Sequence, residues 1–187
     1  MTMHAAVVTQ EAQPDSADEV YRVVAIACAV LAGMVHALVA PEHLAESWLV
    51  GAFFVAACAG QLGLALALGR TPGPAFLLGA IGANLGMIAL YVASRTVELP
   101  FVHGHDNSAH DVEHLPVARA VGDGTPVYPG THIEPVGLLD LVCLGAELVL
   151  VAMLVGLLSG RARRVVVNAM LAGGLLALGA RAAGLLA

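Results

Sequence analysis

The chain has 187 residues, of which 59% are hydrophobic and only 12% charged, with a formal charge of −6 and a mean hydropathy of +0.85. Soluble domains carry about 25% charged residues, so this composition excludes an ordinary soluble protein and implies a polytopic membrane protein whose first partner is the lipid bilayer. Lysine is absent, and no basic patch is present to follow a phosphate backbone, which excludes a nucleic-acid partner.

In chain order, residues 1–19 are polar and acidic and lack a basic n-region, so they read as a short disordered tail rather than a secretory signal. A membrane span needs about 20 apolar residues. The hydropathy pattern predicts five: 20–40, stopping at Pro41; 46–69, broken by Arg70-Thr-Pro-Gly-Pro; 75–97; 136–158; and 165–186. Ser159-Gly-Arg-Ala-Arg-Arg reads as a tight basic turn before the fifth. Between the third and fourth spans runs a long polar loop, 98–135, with five prolines. The expected fold is an all-α bundle of five transmembrane helices carrying one long His-rich loop.

Cytoplasmic loops are enriched in arginine and lysine. Arg22, Arg70, Arg161, Arg163 and Arg164 fall on one side of this topology, and Arg95, Arg119 and Arg181 on the other. The N-terminus is therefore expected in the cytoplasm, with the C-terminus and the His-rich loop outside. Cys28, Cys58 and Cys143 all lie within apolar stretches, so no disulfide framework is expected.

Small residues recur at helical spacing: Gly60 and Gly63 in the second span, Gly79, Gly82, Ala83 and Gly86 in the third, Gly173 and Gly174 in the fifth. Small residues let helices approach closely in lipid. Packing within one bundle is the plainer expectation, and a homo-oligomer interface the alternative.

Three groups of residues carry chemistry. The first is His36 with the turn Pro41-Glu42-His43-Leu44-Ala45-Glu46. With a helix starting at Pro41, His43 and Glu46 stand at i, i+3 on one face and can grip one metal ion. The competing reading is an acidic helix start in which Glu42 and Glu46 complement the macrodipole. The second group is Phe101–Val117, FVHGHDNSAHDVEHLPV. His103 and His105 suit one face of an extended segment, and His110 and His114 one face of a helical turn. Imidazole suits zinc, copper, iron or nickel. The absence of cysteine from the loop argues against a finger-type zinc site. Asp111, Glu113 and Glu42 are candidates to orient ligand histidines. A merely polar loop is the alternative.

The third group is intramembrane. Asp140 and Glu147 share a face of the fourth span, with Cys143 between them, and Gln61, Asn84 and Asn168 are milder polar insertions. A carboxylate in a span is expensive and functional by default. On the expected spans, Asp140 lies level with His36 near the outer surface, and Glu147 about 10 Å deeper, close to Asn84. One reading is a polar track of Asp140, Glu147, Asn84 and Gln61. The other is structural: Arg95 pairs with Asp140, and a protonated Glu147 bonds Asn84 or Gln61.

Two segments carry a resemblance. PEHLAES with the following GAFF, and SRTVELP with the later EPVGLLDL, resemble multi-pass membrane proteins of high-GC Gram-positive bacteria, a group from which no activity carries over. The resemblance implies the architecture and nothing about function.

The sequence thus points to an integral membrane protein that binds a transition metal, copper or zinc, on its outward face, for capture, delivery or transport. The expected ligands are His36, His43, Glu46, His103, His105, His110 and His114, divided between one ion or two. A membrane-embedded metalloenzyme using the same His/Glu site, with Asp140 or Glu147 handling protons, is the second reading. An accessory subunit of a larger membrane complex is the third.

Overall fold

The computed structural model describes residues 16–96 and 136–184. These form five helices: α1 (Ser16–Glu46), α2 (Trp48–Leu68), α3 (Pro74–Thr96), α4 (Leu138–Gly156) and α5 (Gly160–Ala182). Each is long and apolar enough to cross a membrane, and no strand occurs among the described residues. The described residues are all-helical, and the chain reads as a multi-pass membrane protein. The loop histidines His103, His105, His110 and His114, with Asp111 and Glu113, lie outside the described residues.

Two expected boundaries are corrected. Pro41 does not end the first helix but sits inside α1, which runs on to Glu46. Proline removes one i→i−4 bond, to the Ala37 carbonyl, and the remaining bonds of the ladder carry the helix past it. Likewise Arg161, Arg163 and Arg164 are not in a turn before the fifth span but in the first turns of α5. Arginine is a good helix former, and here it also serves α4. Arg163 Nη2 donates to the Gly156 carbonyl and, at 3.2 Å, to that of Leu158. A cation on the last carbonyls of a helix satisfies acceptors that have no partner within it.

Helices α1, α2, α3 and α4 form the body, with α1 packed along both α2 and α4, and α3 along α4. Ala25, Ala29, Ala32 and Ala40 recur at steps of four, three and eight on α1 and are all buried. Their small side chains let two helices approach one face of α1. The Tyr21 ring lies against Gly156, so the start of α1 meets the end of α4. The arginines Arg22, Arg70, Arg161, Arg163 and Arg164 therefore gather at one end of the bundle. Above them sits an apolar core built around Leu64, Leu68, Leu77, Leu150, Leu154 and Leu158.

At the other end, α1 and α2 are joined through Ser47 alone. A Cβ on Gly51 would stand 2.5 Å from Leu44 Cα, so the two backbones meet there because glycine has no side chain. The glycines singled out in the sequence behave differently. At Gly60, Gly63, Gly79, Gly82, Gly86, Gly173 and Gly174 an added Cβ would meet nothing within 4 Å. Among the described residues these glycines therefore mark no close helix approach, in contrast to the expectation of packing within one bundle. Among the described residues, the glycines held tightly against another helix are Gly33, Gly51 and Gly156.

Candidate metal centre

Four polar side chains are buried among the described residues: His36 (6% exposed), Gln61 (2%), Asn84 (2%) and Glu147 (4%). They form two separate pairs, and the pairing differs from the sequence expectation. Glu147 does not bond Asn84 or Gln61. Its Oε1 lies 3.2 Å from Nε2 of His36. Gln61 Nε2 instead donates to Asn84 Oδ1 at 2.8 Å, and Asn84 Nδ2 donates back to the Ala80 carbonyl at 2.8 Å.

The depth estimate for His36 fails because α1 is longer than expected. His36 stands ten residues before Glu46, about 15 Å below the end of the helix. Glu147 is the middle residue of α4, about 14 Å from either end. The two side chains meet halfway through the bundle rather than at its mouth. Asp140 stays near the end of α4, where its Oδ2 accepts from the Gly137 backbone N–H at 2.9 Å. This is an N-terminal capping contact, which satisfies one of the free donors at a helix start.

Cys143 completes the first pair. It stands one turn before Glu147, and i, i+4 side chains share a face. Its Sγ lies 3.8 Å from His36 Nε2 and 3.9 Å from Glu147 Oε1. One imidazole nitrogen, one thiol sulfur and one carboxylate oxygen thus fall within 4.8 Å of one another. Four-coordinate zinc binds sulfur at about 2.3 Å, nitrogen at about 2.0–2.1 Å and oxygen at about 2.0–2.2 Å. Ligands on one tetrahedral face are then about 3.4–3.6 Å apart. The observed separations lie within a few tenths of an ångström of that face. Sulfur and imidazole together suit copper and zinc, whereas calcium and magnesium prefer all-oxygen shells.

Of the other expected ligands, His43 does not join this group. It lies two turns further along α1 and stacks on Phe54, with ring centroids 4.4 Å apart and planes 9° from parallel. The far side of the arrangement is His36, whose ring centroid is 5.8 Å from that of the same phenylalanine. Phe54 therefore bridges a half-buried histidine to the buried one. Glu42 is exposed and outside the cluster, and Glu46 is the last residue of α1. The polar track is corrected in the same way: it divides into the His36–Cys143–Glu147 group and the Gln61–Asn84 pair.

The sequence reading did not include Cys143 among the ligands. The signal was there, in a Cys-x-x-x-Glu spacing inside an apolar span.

Comparison of the chain with protein-family models, with curated proteins and with solved structures finds no match. The site rests on its own chemistry.

Proposed function

We propose that this is an integral membrane metal-binding protein in which His36, Cys143 and Glu147 hold one transition-metal ion, copper or zinc, for capture, delivery or transport. The observation that supports it is the convergence of three different ligand atoms, from helices more than a hundred residues apart in sequence, in the middle of an apolar bundle. Buried polar groups in a membrane are costly and are retained where they serve a path or a site.

The proposed orientation puts the arginine end in the cytoplasm, in keeping with the positive-inside rule. His43 and the Phe54 ring then stand between the outer surface and the site. Glu46, His103, His105, His110 and His114 are the proposed collecting ligands at the outer mouth.

Three protein ligands leave a fourth position open. Catalytic zinc sites keep such a position for water or substrate, so the metalloenzyme reading stands second. A transfer site needs the same opening to hand its ion on.

The test is a thermal-shift titration of tag-free, detergent-purified protein with Zn(II), and with Cu(I) under reducing conditions. A ligand that binds the folded state raises the melting temperature with concentration. The reading expects a saturable rise for one of the two ions, absent from the double variant His36→Ala, Cys143→Ser. No rise with either ion would reject it.

A further inference from the structure

Helix α5 is the least enclosed of the five and has no buried residue. It is fixed to the body in its first two turns. There Ala162 and Val166 pack against the core, and Arg163 donates to the last carbonyls of α4. Beyond these contacts α3, α4 and α5 enclose a groove of about 500 Å³. Leu85 on α3, Leu148, Val151 and Val155 on α4, and Val167 and Leu171 on α5 line it, and every lining side chain is apolar.

The groove occupies one half of the membrane. Val155 is one residue from the arginine end of α4, and Leu148 is eight residues from it, about 12 Å. Leu85 and Leu171 each stand eleven residues from the same end of their own helices, about 16 Å. The hydrocarbon core of a bilayer is about 30 Å thick, so the groove begins near the arginine-side surface and ends near the midplane. An unfilled hollow of this size costs its walls their dispersion contacts. Acyl chains of that leaflet are what the membrane supplies to fill it.

Two cations stand where the headgroup of such a chain would lie. Arg164 precedes Val167 by three residues and Leu171 by seven, so one face of α5 carries all three. It is exposed, and its Nε donates to the Gly160 carbonyl of its own helix at 3.2 Å, which leaves its terminal nitrogens pointing to no described partner. Arg163 precedes Val167 by four residues and keeps Nε and Nη1 beside the Nη2 that serves α4. Asp18 and Glu19 lie at the same end of the bundle, on α1, and pair with neither arginine.

We infer that the groove holds one acyl chain of an anionic phospholipid of the arginine-side leaflet, with its phosphate on the guanidinium groups of Arg163 and Arg164. A guanidinium matches phosphate oxygens with paired N–H donors. Basic pockets between membrane helices bind anionic headgroups in this way. The lipid fastens α5 to α3 and α4 through contacts that the helices do not make themselves. No ligand of the metal centre takes part.

The test is native mass spectrometry of the full chain, released from detergent micelles supplied with equal amounts of phosphatidylglycerol and phosphatidylcholine of the same acyl chains. The variants are Arg164→Gln and Ala152→Phe. Ala152 lines the groove and is exposed, so a phenyl ring there fills the groove without entering the core. Melting temperatures without added lipid check that both variants fold. The unaltered chain is expected to retain one phosphatidylglycerol, at least fivefold over phosphatidylcholine. Arg164→Gln should cut that preference at least threefold, and Ala152→Phe should remove the bound lipid. Equal retention of the two lipids would overturn the inference, as would a preference that persists unchanged in either variant. A lipid-free mass of two chains, lost in Ala152→Phe, would put a second copy in the groove and overturn it as well.

Discussion

Nε2 of His36 on α1 lies 3.2 Å from Oε1 of Glu147 on α4, and both side chains are buried at mid-bundle. With its proton on Nε2, the imidazole donates to the carboxylate. The same two atoms and Cys143 Sγ also lie within 4.8 Å of one another, close enough to ligate one ion. One geometry thus fits both a helix-to-helix bond and the proposed ligand set, and experiments on the three residues can separate the two roles.

Conservative replacement separates them first. Glu147→Gln keeps the shape and a hydrogen-bonding oxygen but removes the negative charge. It should lower metal affinity at least tenfold while changing stability by less than about 1 kcal/mol, the scale of one interhelical bond in a membrane. Glu147→Leu should lose the metal and also cost about 1–3 kcal/mol, because the buried His36 loses its carboxylate partner and keeps only the weaker Cys143 thiol. Competition with a chelator of known affinity, beside an unfolding titration, reads both.

Cysteine decides the kind of ion. Cys143→Ser replaces a soft sulfur with a hard oxygen, and soft ligands select copper(I) and zinc. The variant should bind either ion at least tenfold more weakly, with the larger loss for copper(I). Equal affinities before and after the change would remove Cys143 from the ligand set.

His43 should act on rate rather than on capacity. Its ring stacks on Phe54 and stands apart from the three ligand atoms. His43→Ala is expected to retain one metal per chain and to load it several-fold more slowly, which stopped-flow mixing with a fluorescent zinc indicator would follow. Loss of the bound metal in this variant would instead make His43 a ligand.

The order of the described helices was legible in the sequence because each is a long apolar run, although the break between α1 and α2 falls at Ser47 and not at Pro41. The mid-membrane partnership of His36 and Glu147 was not. Taking Pro41 as a stop shortened the first helix by six residues and raised His36 toward the surface by about 9 Å. Proline breaks helices in water but is tolerated in membrane spans, where neighbouring groups satisfy the freed carbonyl. The glycine pattern misled for a different reason. Sequence spacing marks a close approach but does not say to what, and Gly60, Gly63 and Gly79 face open space.

That contrast makes a stability test of the fold. A Cβ on Gly51 would stand 2.5 Å from the Leu44 backbone, so Gly51→Ala should cost about 1–3 kcal/mol as an overpacked contact. Gly63→Ala meets nothing and should be neutral or slightly stabilising through helix propensity. Unfolding in mixed micelles of a mild detergent and sodium dodecyl sulfate would show the difference.

The most direct measurement is X-ray absorption at the metal edge on tag-free protein loaded with one equivalent of zinc or copper(I). A site made of His36, Cys143 and Glu147 predicts one sulfur scatterer at about 2.3 Å with nitrogen and oxygen at about 2.0–2.2 Å, and the sulfur shell vanishing in Cys143→Ser. A spectrum of nitrogen and oxygen alone, unchanged in that variant, or protein that holds no metal after loading, would contradict it.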